Sequence, residues 1–207
     1  MVTDAYLSAA ATVSALLRSP ALPPLWAAAS ALEELRISGL AGHLARGVFT
    51  LEKYLDADRP AAGARAIDAA TYLVQISDLT PDDNLQVRER GEAEAAAGPQ
   101  ELIDRYDAAL ARLSARLPAL PETHLVPMVG GNVLPLGECL ITRLVELLVH
   151  SDDLAVSLGI PAPEFDEEPA DLVVSVLARF ARRRHGTAPV LRALARQERA
   201  FGSIAAF

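Results

Sequence analysis

Residues 136–158, LGECLITRLVELLVHSDDLAVSL, decide the fold. This stretch is a run of leucine and valine interrupted by single polar residues, closed by Gly159 and Pro161, and it reads as one long helix from Leu136 to Leu158. Glu146 and His150 stand four residues apart, so they share a helical face. Their apolar surroundings predict that both heads face the interior of a bundle. An interior carboxylate without a partner is costly or takes up a proton. A divalent ion closing on Glu146 and His150 is one way to satisfy it. Arg143, three residues earlier, is another, as an ion pair with Glu146 and His150 hydrogen-bonded beside it. A third ligand on another helix favours the metal, and His43 between Leu40 and Leu44 is the candidate; its alternative is a satisfied core histidine. Two imidazoles and one carboxylate leave coordination positions open, as a catalytic metal requires.

Outward from this helix the chain reads as six or seven helices with short connections. Thr3 to Arg18 forms the first, with Thr3 or Asp4 able to cap it and Tyr6, Ala9, Val13, Leu16 and Leu17 at helical spacing. Pro20 to Pro24 ends it, and Trp26 and Leu32 fall in a connecting segment. Ser38 is expected to cap a second helix that runs to Leu55 and carries His43. Asp56 to Gly63 reads as a linker, Ala64 to Ile76 as a third helix, and Asp78 to Asp83 as a break. Val87 to Ala97 continues helically, and Pro99 suits the first position of a helix reaching Leu117. Pro118 to Pro135 is the least helical region, where Val129-Gly130-Gly131-Asn132-Val133 suggests a tight turn between short extended arms. After the acidic linker 161–169, helices from Ala170 to His185 and Pro189 to Ala200 close the chain. The pattern predicts an all-α, up-and-down four-helix bundle with two additional C-terminal helices. Residues 1–159 form the bundle, and 160–207 a short helical extension packing on it in the same domain.

Composition narrows the function. The chain has 207 residues, 51% of them hydrophobic, which excludes disorder as its main state. Alanine abounds, and alanine is the best helix former. The net charge of −8 argues against a broad nucleic-acid surface and against an anionic membrane surface. Lys53 is the one lysine among 19 basic residues, a bias that suggests a GC-rich genome. The single Cys139 excludes an intramolecular disulfide and a cysteine-based zinc finger, and it reads as a small buried residue. His124 and His185 read as surface residues. No apolar run reaches the length of a membrane span and no signal peptide is seen, so a cytoplasmic location is expected.

With these segments placed, the chain resembles the mycothiol-dependent maleylpyruvate isomerase N-terminal domain family, within the DinB-like metal-binding bundles. The resemblance rests on Trp26, on Gly42-His43-Leu44-Ala45-Arg46, on Arg88-Glu89-Arg90-Gly91, and on Arg143-Leu144-Val145-Glu146-Leu147-Leu148-Val149-His150-Ser151-Asp152-Asp153-Leu154. It covers residues from Thr3 to Gly159. It implies a four-helix bundle holding a divalent metal, commonly zinc, on His43, Glu146 and His150. It also implies use of mycothiol, a thiol of actinobacteria, with which the arginine- and alanine-rich, lysine-poor composition is compatible. The family's isomerase resembles a two-domain protein with a larger α/β C-terminal domain, whereas residues 160–207 here read as two helices.

Two functions from different classes follow. The first is a metal- and mycothiol-dependent isomerase or S-transferase acting on a small electrophilic substrate, in which Arg88 and Arg90 are the candidate catalytic residues that hold a carboxylate, with Arg46 a further candidate. Their alternative is a solvated helix face paired with Glu89, Glu92 and Glu94. Asp153, three residues after His150, is placed either to orient that imidazole or as a surface charge. The second function is a non-catalytic helical protein that keeps the bundle for ligand binding or dimerisation. Its alanine- and leucine-rich helices are compatible with a homodimer.

Overall fold

The structure, a computed structural model, describes residues 1–58, 60–61, 63–77, 80–200 and 202–205. Four long helices build the expected bundle: α1 (Val2–Leu17), α3 (Ile37–Asp56), α6 (Pro99–Arg116) and α7 (Leu136–Leu158). Each turns one apolar stripe inward. On α1 it is Ala5, Tyr6, Ala9, Val13 and Leu16; on α3 Leu40, Leu44, Val48, Leu51 and Leu55; on α6 Leu102, Tyr106, Ala109 and Leu113. These spacings of three and four residues put one helical face into the core. In space α1 and α3 each pack against both α6 and α7. Two fully buried tyrosines tie the layers together. Tyr6 donates to the Gly47 carbonyl at 3.1 Å and Tyr106 to the Ala10 carbonyl at 3.0 Å, so neither hydroxyl is left unpaired in the core.

The alternation of direction has one parallel step. Arg112 pairs with Glu52 and Arg116 with Asp56, so α3 and α6 advance together. Parallel neighbours need a connection that returns to the starting end. Here α4 (Ala69–Ser77) and α5 (Pro81–Ala95) supply it. α5 lies on α3 at very close range. A Cβ on Gly42 would overlap the Gly91 carbonyl oxygen, and one on Gly91 would sit 2.5 Å from the Gly39 carbonyl oxygen. Only hydrogen at these positions allows the two backbones to touch.

Local chemistry explains where elements begin. α7 has no side-chain cap, because Pro135 precedes it; its first amides are taken instead by the carbonyls of His124 and Glu122, at 2.7 and 2.9 Å. Those carbonyls flank the expected turn, which is a small hairpin of β1 (Leu125–Pro127) and β2 (Val133–Pro135), with Val126 opposite Leu134 and both Gly130 and Gly131 at positive φ. The helix expected from Ala64 starts later, at Ala69. Ile67 bonds the Val133 carbonyl at 2.9 Å, which holds the preceding segment extended, and Asp68 accepts from the Thr71 amide at 2.7 Å as the cap. Ser38 does not cap α3: it lies inside the helix and donates to Glu92 at 3.0 Å. Of the break expected from Asp78 to Asp83, Asp78 and Leu79 lie outside the described residues, as do Arg59 and Ala62 of the expected linker. A capping box of Thr80 and Asp83 starts α5.

The one-turn helix α2 (Leu22–Leu25) and the helices α8 (Glu167–His185) and α9 (Thr187–Ala195) complete nine α-helices among the described residues. α8 lies against α1, α4 and α7. Asp68, half-buried, fastens it by accepting from Arg179 at 2.7 Å and from both terminal nitrogens of Arg183 at 2.9 Å.

The glycine contact between α3 and α5 gives a direct prediction. Gly42→Ala forces two backbones apart, with no flexible side chain to yield, and is expected to cost about 3 kcal/mol or more by thermal or denaturant unfolding. An unchanged melting curve would show that α5 is not held in this way.

Candidate metal centre

α3 and α7 run antiparallel, and their packing brings together three residues distant in sequence. His43 Nε2 lies 3.2 Å from Glu146 Oε2, and His150 Nε2 lies 3.4 Å from the same oxygen. The two rings stand edge to face with centroids 4.7 Å apart. One donor atom from each of the three residues falls within 4.8 Å of the others. Their side chains keep 19%, 21% and 22% of their surface exposed, so the cluster sits at the mouth of the helix interface rather than sealed within it. Below it the seam is apolar: a Cβ on Gly47 would meet Leu147, so α7 approaches α3 closely here as well.

The electrostatics follow from the crowding. Burial works to raise the Glu146 carboxyl, but hydrogen bonds from His150 and His43 and the charge of Arg143 outweigh it and hold it well below the usual carboxylate range. Burial works to lower the His150 imidazole, while its bonds to Asp153 and Glu146 raise it to about 9. Asp153 Oδ2 lies 2.9 Å from His150 Nδ1. Of the two placements open to Asp153, the structure has the orienting one: a carboxylate on Nδ1 leaves Nε2 as the atom facing inward. His43 has no such support among the described residues, where its Nδ1 is buried without a hydrogen-bond partner.

The donor set fits a divalent ion. Two imidazole nitrogens and a carboxylate oxygen converge on one point, and His₂Glu is a zinc ligand set that leaves a position free. The competing Arg143–Glu146 ion pair does not form among the described residues. Arg143 is 7% exposed and instead donates from Nε to Thr142 at 3.2 Å and from Nη1 to Thr50 at 3.3 Å. Its position follows from α7 packing on α3, since Thr50 is 93 residues away in the chain.

The candidate arginines have different partners. Arg88 pairs with Glu34 at 2.9 Å, on the loop before α3. Arg90 is exposed, and its charge is felt by Arg46. Arg46 lies 3.8 Å from Glu94, one turn beyond Arg90 on α5. Cys139 is fully buried, burial pushes its thiol up to about 11, and its sulfur contacts Met128 at 3.5 Å. It is a packing residue in this fold. His124, expected at the surface, is half-buried and lines a cavity of about 290 Å³ with Tyr54 and Arg116, on the side of the hairpin. The neighbours of His124 come from α3 and α6, which its own loop sequence does not announce.

A family model described as the mycothiol maleylpyruvate isomerase N-terminal domain matches residues 6–155, which include all three clustered residues. No curated protein and no solved structure matches the chain.

The sign of the His150 shift makes a pH prediction. A raised histidine contributes stability that is full below its unfolded value of about 6.5 and is lost as pH climbs through the folded value, here about 9. In metal-free protein the His150 ring resonances are expected to titrate near pH 9. Asp153→Asn should lower that midpoint by about one unit and flatten the loss of thermal stability between pH 6.5 and 9. A ring titrating near the free-histidine value contradicts the arrangement.

Proposed function

The chain belongs to the mycothiol maleylpyruvate isomerase N-terminal domain family, a group of DinB-like metal-binding domains, and from that premise we propose that it is a metal-dependent enzyme using a low-molecular-weight thiol, mycothiol. The reaction is isomerisation of a small electrophilic substrate, or S-transfer to it. The observation that carries this reading is the convergence of His43 Nε2, His150 Nε2 and one Glu146 oxygen on half-buried side chains.

His43, Glu146 and His150 are the proposed ligands of one divalent ion, zinc in our reading, which when bound supplies the Lewis acidity that brings a thiol's pKa toward neutrality. The protein's own side chains prepare that place. Asp153 fixes the ring orientation of His150, so its Nε2 is aimed before any ligand arrives. The buried charge of Arg143 helps keep Glu146 an anion. Leu44, Leu144 and Leu147, neighbours of the cluster in sequence on the same two helices, are fully buried. Arg90, exposed on α5, and Arg88, which would have to release Glu34, are the proposed holders of a substrate carboxylate. No helix among the described residues is long and apolar enough to cross a membrane. A cytoplasmic location, where thiols are kept reduced, suits the chemistry. Residues 160–207 are proposed to belong to the same folding unit, since α8 rests on three helices of the first 159 residues.

Elemental analysis of tag-free protein tests the reading. One equivalent of zinc or another divalent ion is expected per chain, lost in His43→Ala and in His150→Ala. Wild-type protein that takes up no metal even when reconstituted with zinc would overturn the catalytic reading and leave a helical binding or structural protein.

A further inference from the structure

α8 lies beyond residues 6–155, the part of the chain that the family model matches. Its inner face buries Pro169, Val173, Val176 and Phe180. The face opposite carries Glu168, Asp171, Ser175, Ala178, Arg182 and His185, in alternating steps of three and four. That is the spacing of a seam between two paired helices. Charge along this face is segregated. Residues 161–171 hold five acids and no base, whereas residues 179–199 hold seven arginines and one acid. The helix macrodipole favours acids first and bases last, which accounts for the sign at each end. It does not account for the middle, where the exposed Val174 and Ser175 and the half-buried Ala178 leave the stripe small and free of charge.

The neighbours of this stripe have partners within the chain. Glu168 takes the N-terminal ammonium at 2.9 Å, and Arg179 and Arg183 take Asp68. Asp171 and Arg182, both exposed, form no ion pair among the described residues. They stand about 16 Å apart along the helix axis and cannot reach each other. A hollow of about 370 Å³ opens at Asp171, lined also by Glu167, Glu168, Leu172 and Ser175. Acids around an aliphatic leucine suit the head and the stem of an arginine. A second copy, related by a two-fold axis across the middle of α8, supplies one. It sets its Arg182 opposite Asp171 and its Asp171 opposite Arg182, and the same register puts Ser175 opposite Ala178. Such a pairing is self-complementary, as a closed dimer requires, and two small residues at its centre let the helices approach. At the basic end α9 leaves Leu191 and Leu194 exposed, which adds apolar surface. A lipid surface or a nucleic acid would answer the arginines but be repelled by the acidic half.

We propose that the outer face of α8 is the docking surface for a second copy of this chain, with the two α8 helices packed antiparallel and Asp171 of each paired to Arg182 of the other. The pairing goes beyond the enzyme reading and needs neither metal nor thiol.

Analytical ultracentrifugation of the full-length chain over a concentration series at low salt tests it. The mass is expected to rise from that of one chain to that of two, and added salt should shift it back toward one. Asp171→Arg and Arg182→Asp each set like charges in both contacts and should weaken the dimer about tenfold or more. An equimolar mixture of the two variants meets with opposite charges at both contacts, so its dimer should recover to within about threefold of wild type. The double reversal within one chain should recover equally. A chain that stays monomeric to about 1 mM overturns the pairing. Binding of a DNA duplex or of anionic vesicles by such a monomer would assign the basic end to that partner instead. A dimer that both reversals leave unchanged, or a mixture that stays monomeric, also overturns it. Should either reversal fail to fold by circular dichroism, Ser175→Arg sets two cations at the centre of the seam. Wild-type dimerisation in that variant contradicts the proposal, and loss of the dimer supports it.

Discussion

A carboxylate caught between two helices must have its charge balanced, and Glu146 imposes that requirement on everything around it. Its oxygen is approached by one imidazole from its own helix and one from α3. The α3 ring reaches it only because α3 and α7 run antiparallel at close range, which Gly47 against Leu147 permits. The direction of α3 is in turn tied to the return path through α4 and α5, and α5 is seated by backbone contact at Gly42 and Gly91. The hairpin before α7 supplies the carbonyls that start that helix. The bundle therefore serves as the means of holding one anion opposite two nitrogens.

The support around the cluster is uneven, and the unevenness has chemical meaning. His150 is backed by Asp153, while His43 Nδ1 is buried with no partner among the described residues. A ligand with a carboxylate behind it is oriented and more basic; one without is held by packing alone. In the proposed enzyme, α7 would thus carry the firm pair, Glu146 and His150, and α3 the looser arm. Cations lie on the flank, where Arg143 and Glu146 stabilise each other's charge and Arg46 lies 3.8 Å from Glu94.

Much of this was legible in the sequence because single residues punctuate it sharply. Pro135 and Gly159 bound α7 where the expectation placed it, and Pro99 opened α6. Glu146 and His150 could be put on one face because helical spacing is local, and His43 was suspected because a polar residue between Leu40 and Leu44 needs a reason. The rest depended on contacts that no local pattern carries. Ser38 has the chemistry of a cap, yet Glu92 on another helix claims its hydroxyl. Ala64 to Asp68 has helical composition, but a hydrogen bond from the Ile67 amide to the Val133 carbonyl keeps it extended. Arg143 looked like the natural partner of Glu146 from spacing alone. Its actual partners are Thr142 and Thr50, and only the meeting of α3 and α7 selects the second.

The central claim is that His43, Glu146 and His150 hold one divalent ion and leave a position where a thiol sulfur can bind. The most direct measurement is the visible absorption spectrum of the cobalt(II)-loaded protein before and after addition of a small thiol. The account predicts d–d bands of a low-coordinate nitrogen and oxygen site, and a new sulfur-to-cobalt charge-transfer band that saturates with thiol and is absent from His150→Ala. A cobalt spectrum no different from that of the ion in buffer, or one that thiol leaves unchanged, would contradict it.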